Sequence, residues 1–313
     1  MTERPLEKIY FVHEGLAAYP EIAAYQSFFV NTFAGEEIRP EALASRPDAA
    51  KALAWHMMGF YPRRGPTRFV LHDYRSLSVG RWHGLKDGIK RFFCARPDLR
   101  VFQNVEMAAA MGFRDNVPTF FLPMGVPASI LSLRKEPVAE PDCDFCYIGV
   151  LSQERQSWRM IDSFLKRFGT SKSFHLYGTP EESIAARYRD RANVVFKGTV
   201  PQEAVFRALR RARVAVNYFP DHFPHRLQTP TKLLEYAALG LRVLSNEHPQ
   251  SRLTVARYGV RSLWGRSADM FRDVPDALDW DDNAGFDPTP LLWPSVIAAS
   301  GVPEAVEALC GGQ

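Results

Sequence analysis

Lys232 and Glu235 stand three residues apart in Pro230-Thr-Lys-Leu-Leu-Glu-Tyr-Ala-Ala-Leu-Gly240, which reads as a short helix with its own start and stop. Thr229 is expected to cap it, Pro230 to take its first position, and Gly240 to end it before the apolar strand Leu241–Ser245. A lysine in a first helical turn opposes the helix dipole unless an anion lies beside it, and the free N–H groups of that turn attract phosphate. Glu235 falls on the same side of the helix, one turn on. A cation and N–H donors for a diphosphate, with a carboxylate beyond them for a sugar diol, would together bind a nucleotide sugar. The plainer alternative is a surface helix with a solvated Lys–Glu pair.

The full string resembles the S/T-P-x-K-x-x-E-Y-x-A-x-G-x-P-V stretch in the C-terminal domain of GT-B glycosyltransferases, above all the retaining family 4 enzymes. Thr229, Pro230, Lys232, Glu235, Tyr236, Ala238, Gly240 and Val243 fall in register, while Arg242 stands where proline is usual. The resemblance implies an α/β protein of GT-B fold, with two doubly wound Rossmann-like domains and an inter-domain cleft. It implies a nucleotide-diphosphate sugar as donor substrate, UDP being the expected carrier, and no cofactor and no metal. The acceptor would be a hydroxyl of a glycan or lipid-linked molecule, and configuration would be retained. Rivals are a GT-B enzyme of another type (an epimerase or inverting transferase), a non-catalytic nucleotide-sugar-binding or scaffold protein, and a flavodoxin-like module.

The same resemblance distributes roles. Gly149 opens a strand-to-helix turn, and Ser152 and Arg155 follow it; Arg155 and Lys232 become the diphosphate pair. The family's arginine directly after that glycine is Val150 here, and the first glutamate of its E-x7-E motif is Leu227. Glu235 keeps the ribose role, and Gly178, Thr199 and Val200 lie where the nucleobase is expected. His72 matches a histidine that lines the donor sugar, so His72, Arg155 and Lys232 form the catalytic set; Asp73, His13 and Gly15 are placed toward the acceptor. His72 could equally be a strand-end histidine bonded to backbone. The loop Asp221-His-Phe-Pro-His-Arg226 contains HxxH, a weak metal signal in a loop.

The elements that must position these groups alternate as strand and helix, the signature of parallel α/β layers. Strands are expected at Lys8–Val12, Arg68–His72, Arg100–Gln103, Asp144–Ile148, Ser173–Tyr177, Val194–Lys197 and Val214–Tyr218. Residues 39–58 read as partly helical, and Leu292 onward as a terminal helix that in this fold often crosses back to the first domain. Thr119–Pro127 resembles the turn that closes the N-terminal domain, with Met124 in place of asparagine. The polar, proline-containing stretch 133–141 suggests a linker, hence domains of 1–135 on the acceptor side and 136–313 for the nucleotide sugar.

The chain has 313 residues, 46% hydrophobic and 24% charged, ample for two domain cores. Net charge is +4, and residues 1–138 carry all the excess, with 18 Lys and Arg against 14 Asp and Glu. That is too sparse for nucleic acid, though compatible with an anionic membrane or acceptor. Residues 81–93 place Trp82, Leu85, Ile89 and Phe92 on one helical face with cations beside it, as in an interfacial helix or one packed on a core. No apolar run approaches the ~20 residues of a membrane span, and the first residues lack a signal peptide's apolar stretch. A cytoplasmic protein is expected, docking peripherally at the inner face of the membrane if 81–93 meets lipid. Cys143-x-x-Cys146 runs into a strand with no second pair, and reads as ordinary thiols rather than zinc ligands.

Overall fold

The computed structural model describes residues 6–15, 19–57, 59–138, 140–266 and 269–311, with 310 and 311 described by backbone alone. Two compact units emerge, one from the residues up to Gly125 and from Leu292 onward, the other from Val126–Leu291.

The first unit contains β1 (Lys8–Val12), α1 (Pro20–Phe29), β2 (Ala34–Ile38), α2 (Pro40–Leu43), β3 (Ala52–Met57), β4 (Phe69–Tyr74), α3 (His83–Phe93), β5 (Leu99–Phe102), α4 (Val105–Met111) and β6 (Thr119–Phe121). Its six strands are parallel, in the order β2-β1-β3-β4-β5-β6. Local signals set some boundaries: Asn104 Oδ1 accepts from Met107 N at 2.9 Å to start α4, and Gly112, at φ +65°, ends it. Residues 39–58, expected to be partly helical, do hold α2 and a 3-10 turn at Ala49–Lys51, but 52–57 form β3, every residue of which is buried. A parallel strand covered on both faces shows no alternation, so Ala-Leu-Ala-Trp-His-Met carries the same letters a helix would. Met58, the last residue of that expected stretch, lies outside the described residues.

The second unit runs α5 (Ile130–Lys135), β7 (Cys143–Ile148), α6 (Ser157–Phe168), β8 (Phe174–Tyr177), α7 (Glu182–Arg187), β9 (Val194–Gly198), α8 (Gln202–Arg210), β10 (Ala212–Asn217), α9 (Thr231–Ala238), β11 (Val243–Asn246), α10 (Pro249–Tyr258) and β12 (Leu263–Gly265). Its sheet, also parallel, has the order β12-β11-β10-β7-β8-β9. In chain order this is the 3-2-1-4-5-6 winding, whose direction reverses between β7 and β10. Phe145, Phe164, Phe168, Phe174 and Phe271 knit its core, with ring centroids 5.0 to 6.3 Å apart. Cys143 and Cys146 are free and buried on β7. Three residues apart on a strand, they point to opposite faces and cannot share a metal.

The expected break at 135/136 falls instead at 125/126. Leu133 and Ile130 are buried, and Arg134 donates to the Ala238 carbonyl that ends α9, at 3.2 Å. The polar surface of 133–135 is thus a helix face and a cap, not a linker. After Leu291 the chain adds α11 (Trp293–Ala298) and α12 (Val302–Gly311) to the first unit, two helices rather than one, separated at Gly301 with φ +72°.

The apolar face of α3 points to solvent. Trp82 just before it is 64% exposed and Phe92 72%, with Leu85, Ile89 and Phe93 also exposed, so this helix does not pack that face on a core. The helix's buried residue is Asp87, which accepts from Ser78 N at 3.1 Å.

Candidate functional site

An open α/β sheet binds ligands beyond the carboxyl ends of its strands, where the winding reverses. In the second unit that point lies between Ile148 of β7 and Asn217 of β10. The loops leaving these strands carry Gly149 and Phe219, and α9 follows β10. Its start differs from expectation. The helix begins at Thr231, Pro230 holds the capping position at φ −76°, ψ 84°, and no side chain caps it, so Thr229 is not the N-cap. Its end follows the expected pattern: Leu241 N bonds Tyr236 O at 3.0 Å, Gly240 N bonds Ala237 O at 2.9 Å, and Gly240 sits at φ +79°.

Lys232 leaves the first turn of α9 and runs against Gly149. A Cβ on that glycine would come 2.5 Å from Lys232 Cε and displace the lysine, and the φ of +143° is one that side-chain-bearing residues rarely adopt. Gly178 is fixed more strictly: at φ +138°, its Cβ would lie 2.1 Å from the Gly149 carbonyl oxygen. Lys232 Nζ hangs 5.2 Å from the Tyr147 ring centre and 5.5 Å from that of Phe219. The Arg155 guanidinium lies 5.7 Å from the same Phe219 ring. Neither side chain forms a salt bridge or hydrogen bond among the described residues. Burial, then the nearby Arg155 charge, push the Lys232 ammonium down to about 7, against a smaller opposing pull from Glu235.

Glu235, one turn on, is buried and accepts from Gln202 Nε2 at 3.2 Å. Burial raises its carboxyl to about 7, with Lys232 and Gln202 acting against the rise. It borders an open groove of about 460 Å³ whose walls include Gly149, Gly178, Thr199, Val200, Gln202 and Phe206. Ile148, Val150, Val200, Val205 and Phe206 supply apolar lining, and Thr179, Thr199, Gln202 and Glu235 supply polar groups. Thr199 Oγ1 lies 3.0 Å from Thr179 Oγ1 at the rim.

Arg155 precedes a helix instead of riding on it. The segment expected to be helical from Gly149 stays a loop and turn until Ser157, with Gln156 at φ +51°. Ser152 is consumed inside that turn: its hydroxyl accepts from Arg155 N at 3.1 Å and its carbonyl accepts from Ser157 N. Val150, in the place of the family's arginine, is exposed.

The first unit treats its expected residues differently. His72 does not end its strand, since β4 continues to Tyr74. It pairs with His56 of β3, is buried, and burial lowers its imidazole to about 3. Asp73 is buried too, accepting from Tyr25 Oη and Trp55 Nε1, each at 3.1 Å, with Arg75 Nη1 3.6 Å away. These are interior groups of the sheet, not groups open to an acceptor. His13 and Gly15 do follow β1, beside the reversal of the first sheet between β1 and β3. Gly15 N donates to His13 Nδ1 at 3.1 Å, which leaves Nε2–H facing Glu37 at 3.2 Å.

The structure therefore gathers Gly149, Arg155, Gly178, Thr199, Val200, Lys232 and Glu235 in one place. Phe219, Tyr147 and Gln202 escaped the sequence reading. Phe219 had a signal, being the second residue after a strand at the reversal point. Gln202 had none, because its value lies in reaching Glu235 across 33 positions.

No protein-family model matches the sequence, and no curated protein matches it. Solved structures do. The Anabaena HepE protein, solved in complex with UDP and glucose, is 10% identical with a TM-score of 0.64, over 96% of this chain and 100% of that one. AviGT4, a glycosyltransferase involved in avilamycin A biosynthesis, is 15% identical with a TM-score of 0.61, over 98% and 99%. A putative UDP-N-acetylglucosamine 2-epimerase from Listeria monocytogenes is 10% identical with a TM-score of 0.58, over 96% of each chain. The fold is that of GT-B glycosyltransferases: two six-stranded parallel sheets flanked by helices.

Proposed function

We propose that the protein is a glycosyltransferase that takes a sugar from a nucleoside diphosphate donor, UDP-linked first among them, and moves it to a hydroxyl of a glycan or lipid-linked acceptor with retention of configuration. The observation that carries this reading is the pair Lys232 and Arg155. Two cations face one aromatic ring, with no salt bridge to either among the described residues, at the reversal point of a Rossmann-wound sheet. Such a pair is costly in the empty protein and is relieved by a diphosphate. Glu235 would accept from the ribose hydroxyls, and the apolar wall of the groove would hold the base.

In this reading the protein's work is electrostatic. Lys232 and Arg155 meet the charge that grows on the leaving diphosphate as the glycosidic bond breaks. No carboxylate need act as nucleophile, and no metal is needed at the reacting atoms. His13, beside the first sheet's reversal, is the expected acceptor-side group. We place the enzyme in the cytoplasm, at an anionic membrane surface met by the exposed face of α3. The similarity to an epimerase fold makes the choice of reaction a matter for assay. Incubation with UDP-sugars and hydroxyl acceptors, with no metal added, should release UDP faster with acceptor than without. Binding of UDP-sugar without any UDP release would leave the groove and overturn the transferase.

A further inference from the structure

Glu154, His222 and His225 take no part in the nucleotide groove. One ligand atom from each lies within 4.8 Å of the other two. The histidines come from the HxxH of the loop after β10, and the glutamate from the turn before α6. His225 is 2% exposed, and its Nδ1 sits 2.9 Å from Gln228 Oε1. An amide oxygen only accepts, so Nδ1 carries the proton and Nε2 presents a lone pair. That Nε2 is buried, has no hydrogen-bond partner among the described residues, and lies 3.4 Å from Glu154 Oε1. A lone pair facing a carboxylate at that distance is repulsive unless a cation or a second proton stands between them.

The spacing favours a metal ion. Tetrahedral ligands at ~2.1 Å from a metal are separated by ~3.4 Å. A histidine whose far N–H is held by a carbonyl oxygen is also the arrangement that orients a metal-bound imidazole. Two imidazoles and one carboxylate suit zinc and its late first-row neighbours, and suit magnesium poorly. We infer that Glu154, His222 and His225 bind a zinc-class divalent cation that ties the loop after β10 to the turn before α6. Each tied segment carries a group of the phosphate end: Arg155 adjoins Glu154, and the His225 ring lies 6.1 Å from that of Phe219. The ion would hold these groups in place without touching the reacting atoms.

The test uses Zn²⁺ alone on the full chain, without nucleotide, so it stands apart from the transferase assay. Competition with a chromophoric chelator should show one Zn²⁺ per chain with micromolar or tighter affinity, and Co²⁺ should give four-coordinate visible absorption. Glu154→Gln and His222→Gln alter side chains that are not buried, and their apo melting temperatures should match wild type. Each should weaken Zn²⁺ at least ~10-fold and abolish the rise in melting temperature that Zn²⁺ gives wild type. Three results would overturn the site: no stoichiometric Zn²⁺, equal affinity in the variants, or Mg²⁺ binding as well as Zn²⁺. The first of these would leave a protonated His225–Glu154 pair as the occupant of the gap.

Discussion

Burial pushes Lys232 and Glu235 toward the same pH from opposite sides, which gives the proposed diphosphate site a pH dependence. Burial holds the lysine down to about 7 and the carboxyl up to about 7. A bound diphosphate would keep Lys232 charged, and ribose hydroxyls would keep Glu235 ionised. Above pH 7 the free lysine is deprotonated, so binding must take up a proton, and affinity falls by up to ~10-fold per pH unit. Below pH 7 the free carboxyl is protonated, so binding must release a proton, and affinity falls again. Diphosphate affinity should peak near pH 7, with proton uptake at pH 8 and release at pH 6. Calorimetry in two buffers of different ionisation enthalpy reads this directly. Identical enthalpies in both buffers at both pH values would remove the linkage. The residues that showed this chemistry in the sequence were those whose local rules conflict, a lysine where the dipole opposes it. His72 and Asp73 drew a functional reading from their place at an expected strand end. Nothing local revealed that β4 runs two residues further and keeps them inside the sheet.

At the scale of elements, legibility followed the kind of force that shapes each one. Where backbone geometry decides, as at Gly240, the sequence showed the boundary. Where burial decides, as in β3, or a long-range cap, as for Arg134 on α9, it did not. The glycines offer a prediction with an internal control. Gly178→Ala puts a Cβ against the Gly149 carbonyl and should displace the two turns, weakening nucleotide binding at least ~10-fold and lowering stability by ~2 kcal/mol or more. Gly88→Ala, in α3 with nothing within 4 Å, should raise stability by up to ~1 kcal/mol. Denaturant melts of the two variants, with nucleotide titration of each, settle the contrast. A Gly178→Ala protein with wild-type affinity would mean the turn does not shape the site.

For the molecule as a whole, the α/β class and the two-part plan were readable from the strand–helix rhythm. The partition was not, because the chain joins the first unit twice, at its start and again from Leu292. The surplus of positive charge in residues 1–138 acquires a place on α3, where Arg81, Lys86, Lys90 and Arg91 accompany the exposed Trp82, Phe92 and Phe93. Among the described residues no helix is long and apolar enough to cross a membrane. The chain should sediment with phosphatidylglycerol vesicles at low salt and not with phosphatidylcholine, and Trp82→Ser with Phe92→Ser should abolish this without changing UDP affinity. Sedimentation unaffected by the double change would move the contact elsewhere. The central claim, a diphosphate held by Lys232 at the reversal point of the second sheet, is tested most directly by calorimetric titration of UDP and UMP into wild type and Lys232→Met. Wild type should bind UDP more tightly than UMP. The variant, with a higher melting temperature from losing a desolvated charge, should lose at least ~10-fold for UDP and much less for UMP. Equal UDP affinity in the two proteins would contradict it.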